Sequence, residues 1–144
     1  MREGKLSEPV MKRSVLRQLT SKYDENIKAG VKTGSDAAVV CAEGTDFAVA
    51  VSSYALETEK AAYYAVNAAV NKLATTGVTD AVTISLLILL PEDFDESNLK
   101  KIMCTVDEVC TQLHIQVADA DVAVSRAVNS PVFQVTEVRR VFFG

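Results

Sequence analysis

Residues 82–95 read VTISLLILLPEDFD, and the fold turns on how this stretch divides. From Val82 to Leu90 only Thr83 and Ser85 are polar, and the run is far shorter than the about 18 residues of a membrane span. Its near-continuous apolarity predicts a central strand covered on both faces. Pro91 withdraws a backbone donor and ends the strand. Asp95 then offers a carboxylate to the orphan amides of a following helix. That helix carries Leu99, Ile102, Met103, Val106, Val109, Cys110 and Leu113 at helical spacing. A strand at His114–Ala118 and another at Pro131–Val141 complete this end of the chain.

Working upstream, Thr58 to Thr76 has helical periodicity, with Ala62, Ala65, Val66, Ala69, Val70, Leu73 and Ala74 in one stripe and Gly77 placed to terminate it. An alanine-rich stripe predicts close packing on a sheet or a second helix. Two strand-like runs, Ala37–Ala42 and Phe47–Ser53, flank Glu43-Gly44-Thr45-Asp46, a hairpin connection. The polar stretch Lys22 to Asp36, with Gly30 and Gly34, reads as a loop. Before it, Ser7-Glu8-Pro9 opens a first helix that carries Val10, Met11, Val15, Leu16 and Leu19 and ends near Ser21. The order α-β-β-α-β-α-β-β predicts an α+β fold, a mixed sheet with helices on one face, whose strand–helix–strand crossovers supply the parallel element.

With 144 residues, 49% apolar and 24% charged, the chain reads as one domain over residues 1–144. Fifteen basic against 19 acidic residues give a net charge of −4, which argues against nucleic acid or an anionic membrane as partner. The charged N-terminus lacks the apolar core of a secretory signal, so the expected location is cytoplasmic. Cys41, Cys104 and Cys110 are odd in number and lack CxxC spacing, which favours buried free thiols over a metal or disulfide role.

Signals for chemistry are sparse. His114 is the single histidine, and its place at a helix end suits a capping role better than catalysis. Phosphate-cradling and zinc-binding motifs such as GxxxxGK[ST] and HExxH are absent from the sequence. Asp119 and Asp121 alternate with alanines just past a strand, where they either share a divalent ion or form a solvated strand end. Asp36 follows Gly34-Ser35 at a strand entry, as a turn-former or a metal ligand.

Taken together, these segments resemble the aminoimidazole ribonucleotide (AIR) synthase superfamily, which includes HypE, thiamine-monophosphate kinase and selenophosphate synthetase. Gly34-Ser35-Asp36-Ala37-Ala38 is similar to its G-[DE]-D-A-A segment. Val51-Ser52-Ser53-Tyr54 falls where the superfamily has V-S-T-D, and Asn71-Lys72-Leu73-Ala74-Thr75-Thr76-Gly77 where it has N-D-L-A-x-x-G. Ala118-Asp119-Ala120-Asp121 takes the place of G-G-[DHN]-T, and Gly4-Lys5-Leu6-Ser7-Glu8-Pro9 resembles the start of relatives close to HypE. The resemblance runs from about Gly4 to Val141 and covers only the superfamily's N-terminal domain.

The resemblance implies a fold like the N-terminal domain of AIR synthase (PurM), whose sheets pair into a barrel-like dimer with ATP and Mg²⁺ beside the interface. It also implies a second domain, not included in residues 1–144. Several motif positions depart from the pattern. Ser35 replaces an acid, Tyr54 and Lys72 stand where aspartates belong, and Ala118-Asp119 replaces a glycine pair. Asp36, Asn71, Asp119 and Asp121 remain as a vestigial nucleotide-binding set, with no catalytic residue and no metal site expected. Mg²⁺ requires hard oxygen ligands, so losing these carboxylates removes most of its coordination. The expected function is a non-catalytic dimerisation or interaction module, with a homodimer through the sheet, a separate protein partner also possible, and no cofactor. The alternative is a residual ATP- or nucleotide-binding protein, with Mg²⁺, working alongside a separate second domain.

Overall fold

A computed structural model describes residues 2–21, 27–30, 37–55, 60–75 and 82–142. The observed architecture is the expected α+β one, a six-stranded mixed sheet with two long helices against one face. Helix α1 (Glu8–Ser14) starts with Pro in its first turn and passes into a 3₁₀ turn at Leu16–Gln18, short of the expected end near Ser21. It buries no residue and packs on no other described element beyond that turn, because its apolar positions find no facing surface.

The strands are β1 (Ile27–Ala29), β2 (Ala38–Ala42), β3 (Thr45–Ala55), β4 (Val82–Leu90), β5 (Ile115–Val124) and β6 (Val132–Val141), in spatial order β1-β2-β3-β6-β4-β5. Part of the expected Lys22–Asp36 loop is therefore strand. Three residues of β1 pair antiparallel with β2, and Lys28 reaches Asp46 at 2.7 Å. The β2–β3 turn is tighter than expected. Glu43 (φ 50°) and Gly44 (φ 77°) form a two-residue connection whose left-handed backbone matches the twist of the paired strands. β6 runs antiparallel between β3 and β4, so the β4–β5 ladder is the parallel one.

Helices α2 (Ala61–Ala74) and α3 (Glu96–Gln112) cover one face. Asp95 caps α3 as the sequence predicts, accepting from the Ser97 amide at 3.1 Å. Leu73 packs with Ala48 and Ala50 of β3, while along the rest of α2 the small residues Ala61, Ala62, Ala65 and Ala69, with Val66 among them, let the helix lie close on the sheet. They meet Ile84, Leu86, Ile88 and Leu90 of β4 and Phe133 and Val135 of β6. The expectation that β4 is covered on both faces does not hold. Its alternate residues Ser85, Leu87 and Leu89 are half-buried and Thr83 is exposed, since both long helices lie on the other side.

Strand β5 runs well past the expected Ala118 and carries Asp119 and Asp121 inside the strand, where the ladder with β4 holds them. His114 sits in the α3–β5 turn with φ 54° and is exposed. The three cysteines are free, but only Cys110 is buried; Cys104 is exposed and Cys41 half-buried, so the expected set of buried thiols reduces to one. None of the helices among the described residues is long and apolar enough to cross a membrane.

Candidate functional site

Two motif segments meet where α2 crosses the end of β3. Val51-Ser52-Ser53-Tyr54 lies in the second half of β3, beyond Val49, which pairs with Ala38 at the end of the β2 ladder. Asn71 and Lys72 lie in the last turn of α2. The Lys72 ammonium donates to the Val51 carbonyl at 2.6 Å, tying helix to strand. Thr75 Oγ1 donates to the Lys72 carbonyl at 2.7 Å and closes the helix end. Tyr54 points to the helix side and packs on the core, its ring 6.1 Å from that of Tyr64. The two positions where the resemblance places aspartates are thus occupied by an aromatic contact and a lysine tether.

Of the four expected site residues, the three that are described do not converge. Asp36 lies outside the described residues. Asn71 is exposed on α2, on the helix side of the sheet. Asp119 and Asp121 are exposed on β5 and pair in register with Ser85 and Leu87, on the opposite face. A one-residue irregularity between Ile84 and Ser85 makes Ala118 the extra residue and sets that face. Among the described residues, no third aspartate, glutamate, histidine or cysteine joins this pair to make a metal-binding group.

The face opposite the helices is the second feature. Alternation along β3 and β6 places Phe47, Val49, Val51, Thr136, Val138 and Arg140 there, and β4 adds Leu87 and Leu89. These apolar side chains are half-buried rather than buried, and Val51 is 51% exposed. Charge is unevenly placed on this face: Asp119 and Asp121 on β5, and Arg140 near the end of β6 with its guanidinium 4.7 Å from the Phe142 ring.

Beneath the helices the structure holds a charged pair that the sequence reading passed over. Glu137 is fully buried and Arg139 nearly so, with Arg139 Nε and Nη2 donating to Glu137 Oε1 at 3.2 and 3.1 Å. Burial pushes the Glu137 carboxyl up, and the Arg139 charge and hydrogen bonds oppose that. Glu137 Oε2 is buried without a hydrogen-bond partner. The signal lay in the alternation of VFQVTEVRRV, which puts Glu137 and Arg139 in phase with Phe133 and Val135. On the same face, toward the β1 edge of the sheet, the hydrogen bond from Lys28 holds Asp46 below its usual range.

The described geometry accompanies clear likenesses. Residues 34–140 match the family model for the AIR synthase related protein, N-terminal domain. No curated protein matches the chain. Among solved structures, tt0281 from Thermus thermophilus is similar at 19% identity and TM-score 0.71, over 94% of this chain and 46% of that one. AaThiL complexed with AMPPCP and TMP is similar at 19% identity and TM-score 0.68, over 98% and 44%. HypE in the HypE–HypF complex is similar at 17% identity and TM-score 0.66, over 76% and 37%. The chain spans less than half the length of these structures, and at such identities the likeness establishes the fold.

Proposed function

The chain belongs to the AIR synthase related protein family through that family's N-terminal domain, and from this premise we propose that it is a non-catalytic interaction domain that pairs with a second copy through its open sheet face. The observation that carries this reading is the one-sided sheet. Phe47, Val49, Val51 and Val138 form one apolar patch and Val132, Leu87 and Leu89 a second, with Thr136, Gln134 and Ser85 between them and both long helices on the far side. Apolar patches of this kind mark interaction sites. Charge favours a like partner. An isologous pair is self-complementary, so the acidic Asp119 and Asp121 of one copy can meet the basic Arg140 of the other.

The loss of Mg²⁺–ATP chemistry is the second half of the proposal. Tyr54 adds no hard oxygen anion, and the Lys72 ammonium is already engaged by the Val51 carbonyl. Asn71 and the aspartates of β5 lie on opposite faces, which is a poor fit to one metal-bound phosphate. The competing reading is residual nucleotide binding beside a separate second domain, and it draws on the likeness to AaThiL complexed with AMPPCP.

Light scattering across concentrations tests the pairing. The expected mass is twice 15.5 kDa, falling to 15.5 kDa in the Val51→Asp, Leu87→Asp double variant. A mass of 15.5 kDa at every concentration would overturn it, as would a double variant that still pairs. Titration calorimetry with Mg²⁺ and ATP is expected to show no heat at millimolar nucleotide. Saturable heat would instead favour the nucleotide reading, and Tyr54→Asp with Lys72→Asp should then strengthen it.

A further inference from the structure

On the helix side, remote from the open face, lies a cleft of about 900 Å³. Its walls are the first turn of α2, one stripe of α3 and the entry to β6. The cause of the gap is local. Ala61 and Ala62 are too small to fill the space between α2 and α3 there, whereas Val66, Val106 and Val109 fill it further along. Phe133, 1% exposed, and Ile102 form part of its lining and continue the core beneath.

The cleft has two chemically distinct sides. One is aromatic: Tyr63, Tyr64 and Phe94 line it, and the two tyrosine rings meet edge to face at 5.6 Å while remaining 44% and 41% exposed. The other is made of donors. Asn98 and Lys101 stand one turn apart on α3, Ser130 adds a hydroxyl from the β6 entry, and Thr105, one turn further on, spends its hydroxyl proton on the Lys101 carbonyl at 3.1 Å. Lysines at 60 and 101 line the cleft, and none of its described lining residues is acidic, in a chain with 19 acids and a net charge of −4. The nearest helix-capping carboxylate, Asp95, accepts from the Ser97 amide and hydroxyl at 3.1 and 2.6 Å and also draws on the Lys101 charge, so a bound anion shares that lysine with it.

A concave site of this volume, apolar on one wall with a few convergent polar groups, is the general form of a small-molecule pocket. We infer that the cleft binds a small aromatic anion, an aromatic ring bearing a phosphate or carboxylate group. The ring lies against Tyr63, Tyr64 and Phe94, and the anionic group is held by Lys101 with the Asn98 amide and the Ser130 hydroxyl beside it. Edge-to-face tyrosines offer a ring surface of defined geometry. A lysine serves the anion as a point charge, so phosphate and carboxylate share this chemistry. The site does not depend on sheet pairing, and the two fail separately.

Phenyl phosphate is the probe, followed by amide chemical shifts of the full chain. The expected result is saturable movement of the Tyr63, Tyr64 and Lys101 amides with Kd near about 1 mM or tighter. Inorganic phosphate and phenol, each carrying half the probe, should bind at least about tenfold more weakly. Lys101→Gln should weaken phenyl phosphate about tenfold and leave phenol unchanged, whereas Tyr63→Ala should weaken both. Both substitutions sit on the exposed surface, and thermal unfolding checks that each variant folds. Absence of saturable shifts at about 10 mM probe would overturn the inference. So would inorganic phosphate that binds as tightly as phenyl phosphate, or a Lys101→Gln variant with unchanged affinity. Retained binding in the Val51→Asp, Leu87→Asp variant would separate this site from the paired face.

Discussion

The two faces of one sheet differ in how they resolve the same strand pattern. On β6, Phe133 and Val135 point under the helices and are buried, while Gln134, Thr136 and Val138 alternate with them on the uncovered side. On β4, Ile84, Leu86 and Ile88 are buried whereas Leu87 and Leu89 are only half so. The covered face even holds an ion pair, Glu137 with Arg139, in surroundings where charge is costly. The uncovered face keeps Asp119, Asp121 and Arg140 where water reaches them. Side-chain chemistry alone does not tell the faces apart, because leucine and valine occur on both; the placement of α2 and α3 does.

The contrast can be broken most directly by truncation. Phe133→Ala is expected to cost about 4 kcal/mol, since it deletes a wholly buried ring that the helices cannot collapse to replace. Leu87→Ala on the uncovered face should cost about 1 kcal/mol or less in dilute protein. Urea unfolding of the two variants measures both numbers. Similar losses would mean that the faces are equally covered.

The buried ion pair gives the next largest effect. Arg139→Leu leaves Glu137 in the interior without its counter-charge and is expected to cost about 3 kcal/mol at neutral pH. The direction of its pH dependence follows from proton counting. Burial already holds Glu137 above the usual carboxylate range, so between the unfolded and folded pKa values the folded chain carries more protons. Stability due to this group therefore falls as pH rises through that window. Loss of Arg139 moves the upper end higher still. The variant should regain most of its deficit as pH drops toward the ordinary carboxylate range, a trend that unfolding at several pH values would reveal. A deficit that does not change with pH would mean that Glu137 stays charged.

Much of the framework is legible in the sequence because its periods are strong. The 3.6-residue spacing of α2 and α3 and the run Val82–Leu90 each specify one element, and Pro91 and Asp95 mark the boundary between two of them. Strand β5 is less legible. Ala118-Asp119-Ala120-Asp121 has no β-branched residue, and the stretch is strand because β4 pairs along its whole length. Which way its aspartates face is harder again. Without the extra residue at Ala118, Asp119 would pair with Leu86 and Asp121 with Ile88, on the helix side; one residue of slip reverses the face. The separation of Asn71 from Asp119 and Asp121 therefore rests on a bulge that no local pattern announces. Likewise β1 has three residues, too few for a period, and exists through its pairing with β2.

The smallest effect concerns the tether between the two faces. Lys72 reaches from the helix layer to the carbonyl of Val51, whose side chain lies on the uncovered side. Lys72→Met keeps much of the apolar stem and removes the 2.6 Å hydrogen bond. Because the bond is solvent-exposed, water can take the lysine's place, and the expected loss is about 1 kcal/mol or less, read as a shift in the urea midpoint with an unchanged slope. A loss above about 2 kcal/mol would carry a different meaning, since that is the size reached when a stripped acceptor stays dry. The end of β3 would then be shielded from water by whatever lies on the uncovered face. Repeating the measurement in the Val51→Asp, Leu87→Asp background separates the cases. If a pairing copy supplies the shield, the excess loss disappears with the pairing; if it persists, the shielding comes from the chain itself and the uncovered face is less open than its register implies.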